Sequence, residues 1–404
     1  MPAKLKLGYG QGLLELHVDE EVDVVLPEEL PPAGAGEVER SLENSIGVSL
    51  SDLQGRSASI LVSDITRPAP SHLMLPPLVK RLKEQGITKI EIVFALGTHR
   101  RMTPDEEKLL LKGCFGLPHR QHDLSRCTLL GETSRGTPVE ILESVASSDL
   151  IVATGNIEYH YYAGYSGGAK AILPGVSSEK SVVRNHELMR DPLATSGRLD
   201  SPVRQDMVEA ASLAGLDYIL NVVLNSRSEI VRSVAGDFLQ AHRAGAAVVD
   251  GMYRRIVEPA EIVVTCAGGR PKDLNLFQAQ KALDNAKRAA IPGGTIILVA
   301  ECSEGLGNKV FERWACDALS AEQCWERFGR EYEFGGHKAA FLAKESLEHQ
   351  LILVSALPAE LARMCFFEPA RTLDEALARA RSRHGNDARM LIMPYGNLTL
   401  ALPG

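Results

Sequence analysis

A chain of 404 residues exceeds what one hydrophobic core usually organises, so two domains are expected. With 45% apolar and 24% charged residues it has the make-up of a soluble globular protein, and a net charge of −8 speaks against nucleic acid as a partner. The N-terminus MPAKLKLGYGQG lacks an apolar signal-type region, and no run approaches the roughly 18 apolar residues of a membrane span. Seven scattered cysteines without a CxxC pair fit buried thiols and a cytoplasmic location.

The first 50 residues, with Pro31-Pro32 and Gly34/Gly36, read as a β-containing lead-in and a loop. Gly8–Gly12 (GYGQG) superficially resembles a dinucleotide loop, but no strand is expected before it and no helix after it. Beyond residue 50, short apolar runs alternate with amphipathic helical patterns, the mark of a mostly parallel α/β sheet. Expected strands are Ser59–Ser63, Ile90–Ala95, Asp149–Thr154 and Tyr218–Leu224, with helices at Leu73–Glu84, Pro104–Lys112, Val203–Ala214 and Gln240–Tyr253. A second series begins after Ile256–Ala260. Its strands are Glu261–Cys266, Thr295–Ala300, Gln350–Ser355 and Met390–Met393, and its helices Asn275–Ala289 and Thr372–Arg381. The fold class is therefore α/β, with one domain over residues 1–258 and a second over 259–404.

Ligands of open α/β sheets bind at the carboxyl ends of the strands, so the residues just beyond each strand are candidate site residues. The first strand delivers Asp64-Ile65-Thr66-Arg67-Pro68, the second Gly97-Thr98-His99-Arg100. The third delivers Gly155-Asn156 and a loop running from His160 through Ser166-Gly167-Gly168-Ala169-Lys170 to Pro174 and His186. Asp64 and Arg67 can face a phosphate or carboxylate, or they can be a turn in which Asp64 caps Thr66. His99 is either a site histidine or a structural loop residue, between its strand and a helix capped by Thr103.

The SGGAK loop is not a P-loop, because Ala171 stands where the magnesium-binding hydroxyl is required. Its backbone amides can still take a phosphate. His186 is a metal ligand or a surface residue; as a ligand it lacks companions, since conventional sites need three or four. In the second series, Gln278 and Lys281 share one face of a helix whose N-terminus comes after GGRPKD. They are either an anion site or a solvated helix face.

The set Asp64-x-x-Arg67-Pro68, Gly97-Thr98-His99, His160-x5-Ser166-Gly167-Gly168-x-Lys170, Pro174-Gly175, His186 and Gln278-x-x-Lys281 resembles the nickel-pincer lactate racemase family. The resemblance implies a 2-hydroxy acid racemase or epimerase with its site in the cleft between two α/β domains. It implies a nickel-bound pyridinium-3,5-bisthiocarboxylate mononucleotide, tethered through Lys170, with His186 as the protein ligand to nickel. His99 and His160 would be the acid/base pair while hydride moves between substrate and cofactor by way of a 2-keto acid. Asp64, Ile65, Thr66, Arg67, Lys170 and Pro174 would hold the cofactor, and Gln278 and Lys281 the substrate carboxylate. The enzymes that build the pincer nucleotide would be partners.

A binding protein without turnover and an NAD-type oxidoreductase are the competing readings. The four reactive residues speak against the first and the missing dinucleotide motif against the second. Phe277 stands where lactate-specific members carry a tyrosine, which leaves the choice of 2-hydroxy acid open.

Overall fold

The computed structural model describes residues 3–18 and 22–404. The chain forms two α/β units: an inserted unit, Glu29–Met252, and a split unit made of residues 1–28 together with Tyr253–Gly404. This differs from the contiguous division at 258/259. Asp23–Val24 adds to the split unit's sheet as a parallel edge strand beside Met390–Met393. The hairpin Ala3–Tyr9/Gly12–Val18 buries Leu7 and Leu16 in that unit's core with Ile262, Ile297, Ile352 and Ala376. The GYGQG segment is the tip of this hairpin. A strand does precede it, contrary to expectation, but a second strand rather than a helix comes after it, so the dinucleotide reading fails.

The inserted unit holds a six-stranded sheet in the order Ile230–Gly236, Leu216–Leu224, Leu150–Asn156, Ser57–Ser63, Lys89–Ala95, His119–Gln121. All neighbours are parallel except the first pair. The interior strands are apolar on both faces (Ile60, Leu61 and Val62; Ile92, Val93 and Phe94), because helices cover the sheet on either side. Starting from Ser57–Ser63, the chain builds outward one way through Lys89–Ala95 and later the other way through Leu150–Asn156. The switch point therefore lies between Ser57–Ser63 and Leu150–Asn156, and the carboxyl ends there are where open α/β sheets bind their ligands.

The split unit's sheet runs Glu368–Ala370, Gln350–Val354, Ala290–Val299, Ala260–Cys266, Met390–Met393, Asp23–Val24, parallel throughout. Its switch point falls beside Ala260–Cys266, the strand that leads to Gln278 and Lys281. Every strand and helix expected from the sequence is present, with ends that shift by a few residues. All seven cysteines are thiols, and no described helix is long and apolar enough to cross a membrane.

Candidate active site

Three strand ends of the inserted unit converge. Ser57–Ser63 stops at Asp64, whose Oδ1 accepts the Thr66 N–H at 2.7 Å and the Thr66 hydroxyl at 2.5 Å. The turn that the sequence allowed is thus real, yet it leaves Oδ2 free to accept from His99 Nδ1 at 2.9 Å. Lys89–Ala95 delivers His99 through a tight turn in which the His99 N–H donates to the Leu96 carbonyl. The next helix starts in a capping box, Thr103 with Glu106 and Pro104 at its first position, which fixes the length of this loop.

Arg67 Nη2 lies 3.3 Å from His99 Nε2. Because a guanidinium can only donate, Nε2 carries the lone pair and Nδ1 the proton given to Asp64. Burial alone would raise Asp64, but the hydrogen bonds from His99 and Thr66 and the Arg67 charge outweigh it and hold the carboxyl well below its ordinary range. His99 is a carboxylate-backed imidazole whose basic nitrogen faces Arg67.

The third strand end carries the glycine loop. Gly168 donates its N–H to Asn221 Oδ1 at 2.8 Å, and a Cβ at Gly168, where φ is +57°, would lie 2.8 Å from His242 Cδ2. Arg204, buried on the helix Pro202–Ala214, donates to the carbonyls of Ala163 (3.0 Å) and Tyr165 (2.5 Å). His242 Nε2 meets the Ser166 carbonyl at 2.8 Å; burial and then the Arg204 charge hold this imidazole well below its ordinary pKa, so the contact is an N–H donation from the neutral ring. Arg204, His242 and Asn221 thus clamp the loop from beneath. None of the three stood out in the sequence, where each is one polar residue in an otherwise ordinary element.

On this loop the His160 ring nitrogen Nδ1 accepts the Ala163 N–H at 3.4 Å, and Nε2 lies 3.3 Å from Lys170 Nζ. Burial first, then the charges of Arg67 and Arg204, hold Lys170 well below the ordinary lysine range, against the pull of Glu158. Because Nδ1 accepts the Ala163 N–H, a neutral His160 ring carries its proton at Nε2, the nitrogen that faces the Lys170 amine. The two histidines are therefore set in opposite tautomers, His99 with a basic Nε2 and His160 with a protonated one. Pro174 closes the loop against the His99 segment: Gly97 donates to the Gly175 carbonyl at 2.9 Å, and a Cβ at Gly97 would stand 3.4 Å from Pro174.

His186 is buried on the helix Glu179–Glu187, not on the surface. Burial and the Lys170 charge lower its pKa to about 3, so the ring is neutral at physiological pH, as a metal ligand must be. Its Nε2 meets the Tyr162 hydroxyl at 2.7 Å, and burial pushes that phenol up, so it keeps its hydrogen. Of the candidate residues in this unit only Ile65 turns elsewhere: its side chain packs on the apolar core and its N–H points at Met102 Sδ.

Gln278 and Lys281 sit half-buried in the first turns of Leu276–Ala286, which Asn275 caps by accepting the Gln278 N–H at 3.1 Å. Phe277 lies edge-on to Phe311 and His337. Among the described residues, the one group of three metal-type side chains close enough to share an ion is Glu345, Glu348 and His349, and Glu345 is engaged by Lys287 at 2.7 Å. It does not include His186.

A histidine backed by a carboxylate and a second histidine beside a buried amine, on a two-unit α/β frame, are the acid/base groups that an isomerase of the racemase type needs. Comparison with known proteins agrees. Residues 8–197 match the pattern of the lactate racemase N-terminal domain and residues 256–400 that of the lactate racemase C-terminal domain. The lactate racemase of Thermoanaerobacterium thermosaccharolyticum is 33% identical over 420 residues, covering 98% of each chain. That of Lactiplantibacillus plantarum is 33% identical over 380 residues, covering 89% of each. The solved lactate racemase apoprotein from T. thermosaccharolyticum superposes with a TM-score of 0.94 at 32% identity, over 99% of this chain and all of the other. A Thermotoga maritima protein shares the fold alone, with a TM-score of 0.68 at 18% identity over 92% of this chain and 99% of the other. The chain belongs to the lactate racemase family.

Proposed function

We propose that this chain inverts the configuration of a 2-hydroxy acid, lactate or a close analogue, with a nickel-pincer nucleotide tethered at Lys170. The observation that carries the reading is the Lys170 amine, buried, held well below the ordinary lysine range and 3.3 Å from His160. A tether to a thiocarboxylate needs such a nucleophilic amine, and the neutral, buried His186 imidazole is the type of donor that completes a square-planar nickel site. The residues present thus fit the group. When bound, it supplies the hydride acceptor and donor that carry the substrate through its 2-keto acid.

The chain's own residues move the proton. His99, backed by Asp64, takes the hydroxyl proton at Nε2 from one enantiomer, and His160 returns a proton from its Nε2 on the other face. In the reverse direction the roles exchange. The Asp64–Arg67 turn and the loop from Lys170 to Pro174 hold the cofactor, while Gln278 and Lys281 hold the substrate carboxylate. Arg67 lies close to the tether, since its charge acts on both Lys170 and Tyr162. The setting is the cytoplasm, with the pincer-building enzymes as partners and neither nucleic acid nor membrane involved.

The test is to express the protein with nickel and the pincer-biosynthesis enzymes and to track the stereochemistry of a panel of 2-hydroxy acids by chiral chromatography. Inversion of at least one, together with an added mass on the peptide containing Lys170, is the expected result. Loaded protein that inverts none of them would overturn the proposal.

A further inference from the structure

Tyr162 touches His160, Lys170 and His186 without having a place in the mechanism above. It is 5% exposed. Its ring stands edge-on to His160 at 4.3 Å and to His186 at 5.1 Å between centroids, and Lys170 Nζ lies 5.4 Å from its centre. Its hydroxyl is 2.7 Å from His186 Nε2.

The imidazole sets the direction of that hydrogen bond. A neutral imidazole has one N–H and one lone pair. A ring that gives Nε2 to a metal keeps its N–H at Nδ1. With Nε2 directed at Tyr162, the N–H belongs at Nδ1 and the lone pair at Nε2. The phenol therefore donates to Nε2, along the in-plane direction in which an imidazole gives its electrons to a metal. A hydroxyl hydrogen and a metal ion cannot both occupy that direction.

We propose that the Tyr162 hydroxyl is a placeholder at His186: it occupies the ligand direction of Nε2 before metal binds and is displaced when metal arrives. The inference rests on His186 being the metal ligand. In the metal-free protein the hydroxyl gives a buried nitrogen its hydrogen-bond partner and holds the ring in one tautomer and one orientation. Once metal is bound, the same hydroxyl competes for Nε2 and assists metal loss. Tyr162 is thus a positioning residue whose contribution changes sign between the two states, which a purely structural residue would not show.

The experiment compares wild type with Tyr162→Phe in two measurements. The metal-free proteins are melted by calorimetry, and the nickel-loaded proteins are challenged with excess EDTA while nickel release is monitored by absorbance and metal analysis. Tyr162→Phe is expected to lower the melting midpoint of the metal-free protein. It is expected to slow nickel release roughly 2- to 10-fold, the factor that one net hydrogen bond is worth. Release at an unchanged or faster rate from folded, loaded Tyr162→Phe overturns the placeholder role. If the Phe variant does not fold, Tyr162→Met removes the same hydroxyl.

A His186→Ala control separates the two ideas. If it retains nickel as wild type does, the metal-ligand reading itself falls. If it loses nickel while Tyr162→Phe fails to slow release, only the placeholder inference falls.

Discussion

Asp64 is the residue whose neighbourhood says most about how the site operates. Its two carboxylate oxygens are divided between a local turn and His99, so one side chain fixes both the loop and the tautomer of the imidazole. Asp64→Asn keeps the shape but offers an amide that can present its donor to Nδ1, which would move the ring proton to Nε2 and block the base. The expected outcome is a fall in kcat per bound nickel of roughly 10²- to 10⁴-fold. Assays on loaded protein, normalised to nickel content, check this. At Phe277, restoring the phenol by Phe277→Tyr adds one hydrogen-bond donor at the proposed carboxylate site. KM for lactate is expected to fall roughly 2- to 10-fold with little change in kcat, read from initial rates of the two proteins. An unchanged KM would remove the substrate carboxylate from the neighbourhood of Phe277.

Elements were legible where burial imposes a pattern. The strands around Ile60, Phe94, Val152 and Leu220 are apolar on both faces, and runs of that kind are hard to mistake. The helix after His99 was legible through its cap, since Thr103, Pro104 and Glu106 stand at the spacing a helix start demands. The site was legible to the extent that its residues stand at strand ends. Pairing across long separations was not: Asp64 with His99, Arg204 with the glycine loop, His186 with Tyr162. These contacts depend on sheet order and helix placement, which no local spacing encodes. The short helices at Glu37–Glu43 and Ala359–Met364 escaped for a related reason, because one or two turns leave too little periodicity to read. The clamp beneath the glycine loop gives a direct test of how it is held. Arg204→Met removes the buried donors of the Ala163 and Tyr165 carbonyls and is expected to destabilise the protein by about 3 kcal/mol, measured by urea unfolding of the metal-free form.

Across the whole molecule, burial of neutral histidines ties stability to pH. Burial is the largest influence on His122 and lowers its pKa from 6.5 to about 4, although the Gly97 and Val176 carbonyls oppose the shift. Between those two values the unfolded chain binds a proton that the folded chain refuses. Its contribution to stability is complete above about pH 6.5 and is lost progressively as the pH falls towards 4. His242, also held well below its ordinary value by burial, acts in the same direction. Urea midpoints are expected to drop across this window, and His122→Gln is expected to flatten part of the drop. Asp64 adds nothing there, because a carboxyl held low loses its contribution only below the ordinary carboxylate range. The inserted unit has its own sheet and core, so a fragment of residues 29–252 is expected to unfold cooperatively by itself. A broad, non-cooperative melt of that fragment would contradict this.

The N-terminal hairpin and the strand Asp23–Val24 complete a unit whose other strands lie beyond residue 253. During synthesis these first 28 residues leave the ribosome long before Ala260–Cys266 and Met390–Met393 exist. At roughly 5–20 residues per second, the apolar faces of Leu7 and Leu16 stay without their final neighbours for ten seconds or more. The inserted unit, with its glycine loop and Lys170, is meanwhile complete in sequence. A nascent chain can therefore offer a finished amine and imidazole pair while its first strands still wait for the last, which makes the order of translation part of how this protein is assembled.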